Sequence, residues 1–322
     1  MVNNMNVLIT GITGFTGSHL AEHLVGQPDL KVFGTVRGRH RQLEFINHIK
    51  NKLTLLECDL TDTNAVVQTI DDCEPDTIFH LAAQSFVPTS WRAPQETFNS
   101  NVIGTLNILE VVRKSRYNPK ILITGSSEEY GLVRPEETPI KETNQLRPLS
   151  PYAVTKVAQD LLGFQYFQSY GMKIVRTRCF NIIGPRSGAK IVSADFARQI
   201  AEIENGKKEP VIYVGNLSAK RDFVDVRDVV RAYFLALNKC KVGDVYNICS
   251  EKAIEIKYIL DTYLKLSKAS ISVKEDQSRL RPSDVPLLLG DCTKFKKETD
   301  WKSEYGIGES LKDVLNYWRE SI

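Results

Sequence analysis

Short apolar runs rich in branched residues recur at Asn6 to Thr10, Lys31 to Val36, Leu53 to Glu57, Thr77 to Leu81, Lys120 to Gly125 and Lys173 to Arg178, with longer amphipathic stretches between them. That alternation predicts strand, helix, strand in repeated units. Runs such as Ile121, Leu122 and Ile123 carry no polar residue at alternate positions. They suit a parallel sheet covered by helices on both faces, a doubly wound α/β arrangement. From about Phe180 the pattern changes, with loop signals at Gly184, Pro185 and Gly188 and a less regular order of elements. Asp225 to Leu237 nevertheless reads as helix, and Val245 to Ile248 as one more buried strand of the main sheet. The expected division is residues 1–179 plus roughly 225–249 in one unit. Roughly 180–224 and 250–322 form a smaller C-terminal α/β unit.

Composition narrows the picture. The chain has 322 residues, 42% of them hydrophobic, enough for a substantial core in one large or two interlocked domains. Its formal charge of +3 gives no footprint for nucleic acid or a membrane surface. Cys58, Cys73, Cys179, Cys240, Cys249 and Cys292 show no CxxC spacing. Reduced, mostly buried thiols in a cytoplasmic protein are expected, and no metal centre. The apolar stretch from Val7 to Phe15 is broken by Gly11 and Gly14 and has no basic leader, so neither a signal peptide nor a membrane span is expected.

The first strand runs into Gly11, Ile12, Thr13, Gly14, Phe15, Thr16 and Gly17, and helical composition follows from Ser18 to Leu24. A strand, a glycine-rich turn and a helix in that order form a phosphate-binding turn. Gly11 allows the sharp bend, Gly14 lets backbone approach a pyrophosphate and Gly17 lets helix and sheet pack closely, with helix N–H groups facing the anion. The fold expectation is therefore a doubly wound parallel Rossmann sheet with a smaller C-terminal α/β substrate domain. After the second strand comes Arg37, within VRGRHR, where an NAD-selective site would carry an acid. NADP is expected, with NAD as the alternative. Asp59 and Leu60 are placed beside the adenine. Leu81, Ala82, Ala83 and Gln84 give a backbone wall, and Thr124 closes the cofactor set.

The reactive residues come later. Ser126, Ser127, Glu128, Glu129 and Tyr130 follow the fifth strand, at the carboxyl end where such sheets bind ligands. Ser150 and Pro151 read as a helix start, so Tyr152 and Lys156 lie four apart on one face. A lysine ammonium near a phenol favours the phenolate. Tyr152 can thus exchange the proton of a carbinol while hydride moves to or from a nicotinamide, with Ser126 holding the same oxygen. Glu128 or Glu129 can alternatively be the partner of a nearby cation.

TGITGFTGSHLAEHL, LITGSSEEYG and SPYAVTKVAQDLL resemble the extended short-chain dehydrogenase/reductases along essentially the whole chain. FNIIGPR, GNLSAKRDFVDVRD and RLRPSDVPLLLGDCTKF are similar to its branch of GDP-mannose 4,6-dehydratases and GDP-4-keto-6-deoxymannose reductases. The resemblance implies a catalytic set of Ser126, Tyr152 and Lys156, with Asn101 supporting the cofactor and lysine. It also implies that Asn181, Arg221, Arg281 and Asp284 hold the nucleotide diphosphate and ribose, with Ser85, Ser127, Val192 and Asn216 completing the GDP-sugar site. Glu128 matches the glutamate that removes the C5 proton in the dehydratases. Ser126 in place of their threonine, Asp195 in place of a phosphate-binding lysine and a shorter C-terminal region lean toward the reductases. VRGRHRQLEFINHI resembles the dehydratases' loop for NADP and subunit contacts. A 4,6-dehydratase acting on a GDP-hexose, GDP-mannose first, heads the expectations, and the C4 reductase is the alternative. A GDP-N-acetylhexosamine dehydratase and a catalytically silent nucleotide-binding protein stand behind them. The resemblance further implies a homodimer through helices Pro94 to Ser115 and Pro151 to Tyr170, or a homotetramer.

Overall fold

The computed structural model describes residues 5–38, 43–279 and 285–322. Its first six strands are β1 (Met5–Thr10), β2 (Leu30–Val36), β3 (Leu53–Glu57), β4 (Thr77–His80), β5 (Lys120–Ser126) and β6 (Ile174–Cys179). Each lies within one residue of the run that predicts it. The helices among them are α1 (Phe15–Val25), α2 (Thr63–Cys73), α3 (Val87–Arg92), α4 (Pro94–Phe98), α5 (Gly104–Lys114) and α6 (Pro151–Tyr170). The chain continues through β7 (Asn181–Ile183), α7 (Val192–Glu204), β8 (Val211–Val214), β9 (Lys220–Asp225), α8 (Val226–Lys239) and β10 (Val245–Ile248). It ends with β11 (Ala253–Glu255), α9 (Ile256–Leu266), β12 (Ser272–Glu275), β13 (Leu287–Leu288), α10 (Thr293–Thr299) and α11 (Ile307–Ser321).

Seven strands form one parallel sheet in the order β3-β2-β1-β4-β5-β6-β10. Alternate residues of β1 separate onto its two faces. Val7 and Ile9 belong to one core with Leu20 and Leu24 of α1 and Val229 and Val230 of α8, whereas Leu8 packs in another with Ile108 and Leu109 of α5. Each fully buried branched side chain contributes about 1.5–3 kcal/mol, so a strand with both faces covered reads as an unbroken apolar run. The strand order reverses between β1 and β4, which opens a crevice at their carboxyl ends. β10 sits beside β6, in the return that the apolar run at 245–248 predicts. A third cluster joins Phe196 and Ile200 of α7, Ile259 and Tyr263 of α9, and Leu311 and Val314 of α11.

Helix limits follow local chemistry. The Ser150 hydroxyl accepts from Ala153 N (3.1 Å), Pro151 occupies the first turn, and Gly171 ends α6 at φ +66°. Asp225 caps α8 by accepting from Arg227 N (2.8 Å), so this helix begins one residue later than the composition suggests. The helix expected from Pro94 to Ser115 is α4, a π turn at Asn99–Ile103 and α5. The wider π turn changes the phase of the helix, and Asn101 within it is fully buried. All six cysteines are buried and unbridged. Among the described residues no helix is long and apolar enough to cross a membrane.

Candidate active site

Gly11 has φ +71°, and a Cβ there would lie 2.9 Å from Ala82 Cα; one on Gly17 would lie 2.2 Å from the Gly11 carbonyl oxygen. Both positions demand glycine. Gly14 is the N-cap of α1, and no side chain caps that helix. A cleft of about 1370 Å³ opens beside the turn and is lined by Gly11, Thr13 to Gly17, Arg37, Asp59, Leu60 and Leu81 to Ser85. Thr35, Arg186 and Lys190, which the motifs do not single out, also line it.

Behind the cleft a neutral histidine ties its walls together. Thr10 Oγ1 accepts from Leu81 N and Ala82 N, both at 3.1 Å, so its own proton goes to His80 Nδ1 (2.9 Å). This is why β4 stops at His80 rather than Leu81. His80 Nε2 then donates to Thr105 Oγ1 (2.8 Å), and Thr105 donates to Asn101 O (2.6 Å). Burial, with Lys156 nearby, pulls the His80 pKa down to about 3. Asn101 Oδ1 accepts from Gln84 N (2.7 Å), and its Nδ2 donates to Gln84 O (3.1 Å) and Thr155 Oγ1 (2.9 Å). Asn101 therefore supports Gln84 and α6 from behind rather than lining the cleft.

Tyr152 and Lys156 are both buried on α6. The Tyr152 phenol is hydrogen-bonded to the Ser126 side chain. Lys156 Nζ donates to Thr124 O (2.8 Å) and lies 5.9 Å from the Tyr152 ring centre. Burial lowers the lysine to about 8, opposed by the Glu129 carboxylate. Burial pushes the Tyr152 phenol up, and Glu128 and Glu129 add to that, against the Ser126 hydrogen bond. The phenolate expected from the lysine is thus disfavoured in this state, because desolvation prevails over the Ser126 hydrogen bond. Glu128 is half-buried on the turn that follows Ser126, and Ser126 Oγ accepts from its backbone N (3.2 Å).

Glu129 lies against a buried cation. Its Oε1 accepts from Ser126 N (2.7 Å), and its Oε2 lies 3.1 Å from Arg178 Nε. Arg178 also donates from Nε to Asp160 Oδ2 (2.8 Å), and Arg176 donates to Asp160 Oδ1 (2.5 Å). Tyr152, Lys156 and Asp160 are spaced by four on α6, so one helix face carries all three inward.

The remaining residues lie toward the C-terminal unit. Ser85 is exposed at the cleft, whereas Ser127 is buried beneath the turn after β5. Asn181 Nδ2 donates to Asp222 O (3.2 Å), and Val192 is half-buried at the start of α7. Asn216 is exposed and accepts from Ser218 N (3.0 Å), and Arg221 donates to Val285 O (2.6 Å). Asp195 is held by Arg198 (3.0 Å), Gln199 (2.9 Å) and Arg279 (2.5 Å). Arg281, Asp284 and the basic residues Arg39, His40 and Arg41 lie outside the described residues.

The family model described as GDP-mannose 4,6 dehydratase matches residues 8–314. The chain belongs to this family. A GDP-mannose 4,6 dehydratase 2 of Arabidopsis thaliana is 34% identical over 96% of the chain and 85% of its own length. A GDP-6-deoxy-D-mannose reductase of Pseudomonas aeruginosa is 30% identical over 98% of both chains. The structure of RMD from Pseudomonas aeruginosa complexed with NADPH superposes with a TM-score of 0.85 at 29% identity, covering 99% of this chain and 100% of that one. The sheet is accordingly the Rossmann fold of the extended short-chain dehydrogenase/reductases, and the GDP-mannose 4,6-dehydratase family is one of NAD(P)-dependent enzymes.

In this family member the motifs locate the glycine turn, the Leu81 to Gln84 wall and the α6 pair. They miss His80 and the cluster of Asp160, Arg176 and Arg178, whereas Glu129, one of the two glutamates expected beside a cation, lies against Arg178. A signal for the cluster exists. Two arginines two apart in the wholly buried strand IVRTRC share one face of the sheet and require a buried acid.

Proposed function

We propose that the chain transfers hydride and proton at C4 of a GDP-linked hexose, with Ser126, Tyr152 and Lys156 as the reacting set. The cofactor site fits a dinucleotide: an uncapped helix N-terminus faces a turn in which a side chain at Gly11 or Gly17 would collide with backbone. Arg37 in that cleft favours the 2′-phosphate of NADP. A reduced nicotinamide bound there supplies hydride to a C4 ketone. Tyr152 gives its proton to the C4 oxygen, Ser126 holds that oxygen, and Lys156 fixes the helix face through Thr124 O.

Net reduction of a GDP-4-keto-6-deoxymannose is the reading we place first, and one observation carries it. Asp195 stands where the resemblance places a phosphate-binding lysine in the dehydratases, and it is engaged by Arg198, Gln199 and Arg279, so the position offers no cation to a phosphate. The end-to-end correspondence with the Pseudomonas reductase supports the same order. Sequence alone ranks dehydration of GDP-mannose ahead. That second reading is favoured by Glu128, near enough to Tyr152 for its charge to act on the phenol. The test is to incubate the protein with GDP-4-keto-6-deoxymannose and NADPH, and separately with GDP-mannose and NADP. Loss of NADPH absorbance in the first alone supports reduction; loss of one water from GDP-mannose supports dehydration, which Glu128→Gln then abolishes. Inertness in both with GDP still bound supports the silent alternative.

The nucleotide diphosphate is assigned to Asn181, Arg221, Arg281 and Asp284, with Ser85, Ser127, Val192 and Asn216 beside the sugar and base. The separate core of α7, α9 and α11 supports residues 180–224 and 250–322 as the substrate unit, with 1–179 and 225–249 as the cofactor unit. A homodimer is proposed from the inverted character of α6. Its polar Tyr152, Lys156 and Asp160 face inward while Val154, Leu161 and Phe164 are exposed, beside exposed Phe98 of α4. Buried free thiols support a cytoplasmic location.

A further inference from the structure

Ser126 is the last residue of β5, and its backbone N–H is bound by a side chain, the Glu129 carboxylate, at 2.7 Å. That carboxylate is fully buried, and it sits so close to the strand that a Cβ on Gly125 would lie 2.2 Å from its Oε1. Arg178 lies 3.1 Å from the other oxygen and donates to Asp160, one turn beyond Lys156 on α6. One guanidinium thus joins the strand end that carries Ser126 to the helix face that carries Tyr152 and Lys156.

We propose that Glu129 is a positioning residue that holds Ser126 and, through Arg178 and Asp160, ties it to the helix face carrying Tyr152 and Lys156, its charge acting on Lys156. It rests on the C4 proton-transfer reading above. The charged and titratable groups acting on it are Tyr152, Lys156 and Asp160 of α6, Arg178 of β6 and the adjacent Tyr130; around these stand Arg176 beside Asp160, Cys179 and Glu128 beside Tyr152, and Glu142 beside Tyr130. His80 of β4 adjoins Lys156. Burial and Asp160 raise the Glu129 carboxyl to about 8, and Lys156 is lowered to about 8. Arg178 and the Ser126 N–H favour the ionised carboxyl, against burial and Asp160. That anion then strengthens the hold on the lysine proton in the pH range where Lys156 would otherwise lose it.

The test is the pH profile of kcat for Glu129→Gln, which keeps an acceptor for Ser126 N–H but carries no charge. The alkaline fall in kcat is expected to move acidward by about one pH unit, so that the ratio of wild type to variant grows about tenfold across that range with KM unchanged. Parallel profiles, with only a uniform loss, overturn the proposal. Should the variant not fold, carbon-13 NMR of glutamate-labelled wild-type protein substitutes for it. Every glutamate carboxyl ionised across the range of the alkaline fall in kcat is expected, and one that stays protonated throughout that range overturns the assignment. Tyr152→Phe separates the two readings. Full turnover in that variant rejects the proton-transfer site itself, whereas an inactive Tyr152→Phe with an unshifted Glu129→Gln profile rejects Glu129 alone.

Discussion

Replacing Asp160 by asparagine removes one charge from the cluster behind the active site while keeping its shape. Arg176 would retain its bond to Gly243 O (3.0 Å), and Arg178 would retain Glu129 (3.1 Å), the Tyr130 hydroxyl (3.2 Å) and Glu142 O (3.2 Å). Breaking a buried ion pair by removing one partner costs about 3–5 kcal/mol, because a buried charge is left uncompensated. Here the loss depends on pH. In the wild-type protein Glu129 is raised from 4.5 to about 8, so the folded chain holds more protons than the unfolded one between those values. Stability therefore falls as pH rises through that window. Asp160 is one of the two main causes of the raised value. Without it Glu129 ionises at lower pH and replaces the missing negative charge beside Arg178. The destabilisation should be largest near pH 5.5 and shrink by about 1.4 kcal/mol for each unit by which the Glu129 pKa falls. Denaturant midpoints of both proteins at about pH 5.5 and about pH 8 measure it, using similar unfolding slopes as the check on the comparison. An equal loss of stability at the two pH values would refute the reasoning, since Glu129 and Asp160 would then not share Arg178.

Tyr152→Phe should lower turnover by about 10²–10⁴-fold, the range for loss of a general acid or base, with dinucleotide affinity unchanged by fluorescence titration. Gly11→Ala should weaken dinucleotide binding at least about tenfold, since φ +71° costs a side chain about 1–2 kcal/mol and the 2.9 Å approach to Ala82 adds to it; isothermal calorimetry checks this, and unaltered affinity would remove the turn from the site. Leu161→Lys, on the outer face of α6, should yield monomers by light scattering without a change in melting temperature of more than a few degrees.

Legibility in the sequence follows the physics of each signal. The strands are visible because a parallel sheet covered on both faces forces continuous apolar runs, as in Ile121 to Ile123. The ends of α6 are visible because Ser150, Pro151 and Gly171 act locally. Asn101 is placed in the right neighbourhood by resemblance, but the π turn that aims it inward has no compositional mark. The direction of the Tyr152 shift is not legible either: spacing shows a lysine four residues away, whereas burial and the two carboxylates depend on packing across β5, β6 and α6. The role of Glu129 is hidden for a similar reason. Asp160 and Arg178 lie on α6 and β6, far from it in sequence, and only its hold on Ser126 N is local, in the capping-box spacing that separates it from Glu128.

The position of β10 has a consequence for how the molecule is made. β6 is complete at residue 179, but the strand beside it arrives only at residues 245–248, after the chain has built β7, α7, β8, β9 and α8. During synthesis the backbone groups along β6 on that side stay unpaired until about three-quarters of the chain has emerged. A fragment ending near residue 200 would carry the glycine turn, Ser126, Tyr152 and Lys156, yet expose the unpaired backbone edge of β6 and the apolar face that α8 covers, both able to recruit other chains. The fragment should therefore aggregate although it contains every reacting group. An excised cofactor unit would need residues 225–249 reattached to stay soluble.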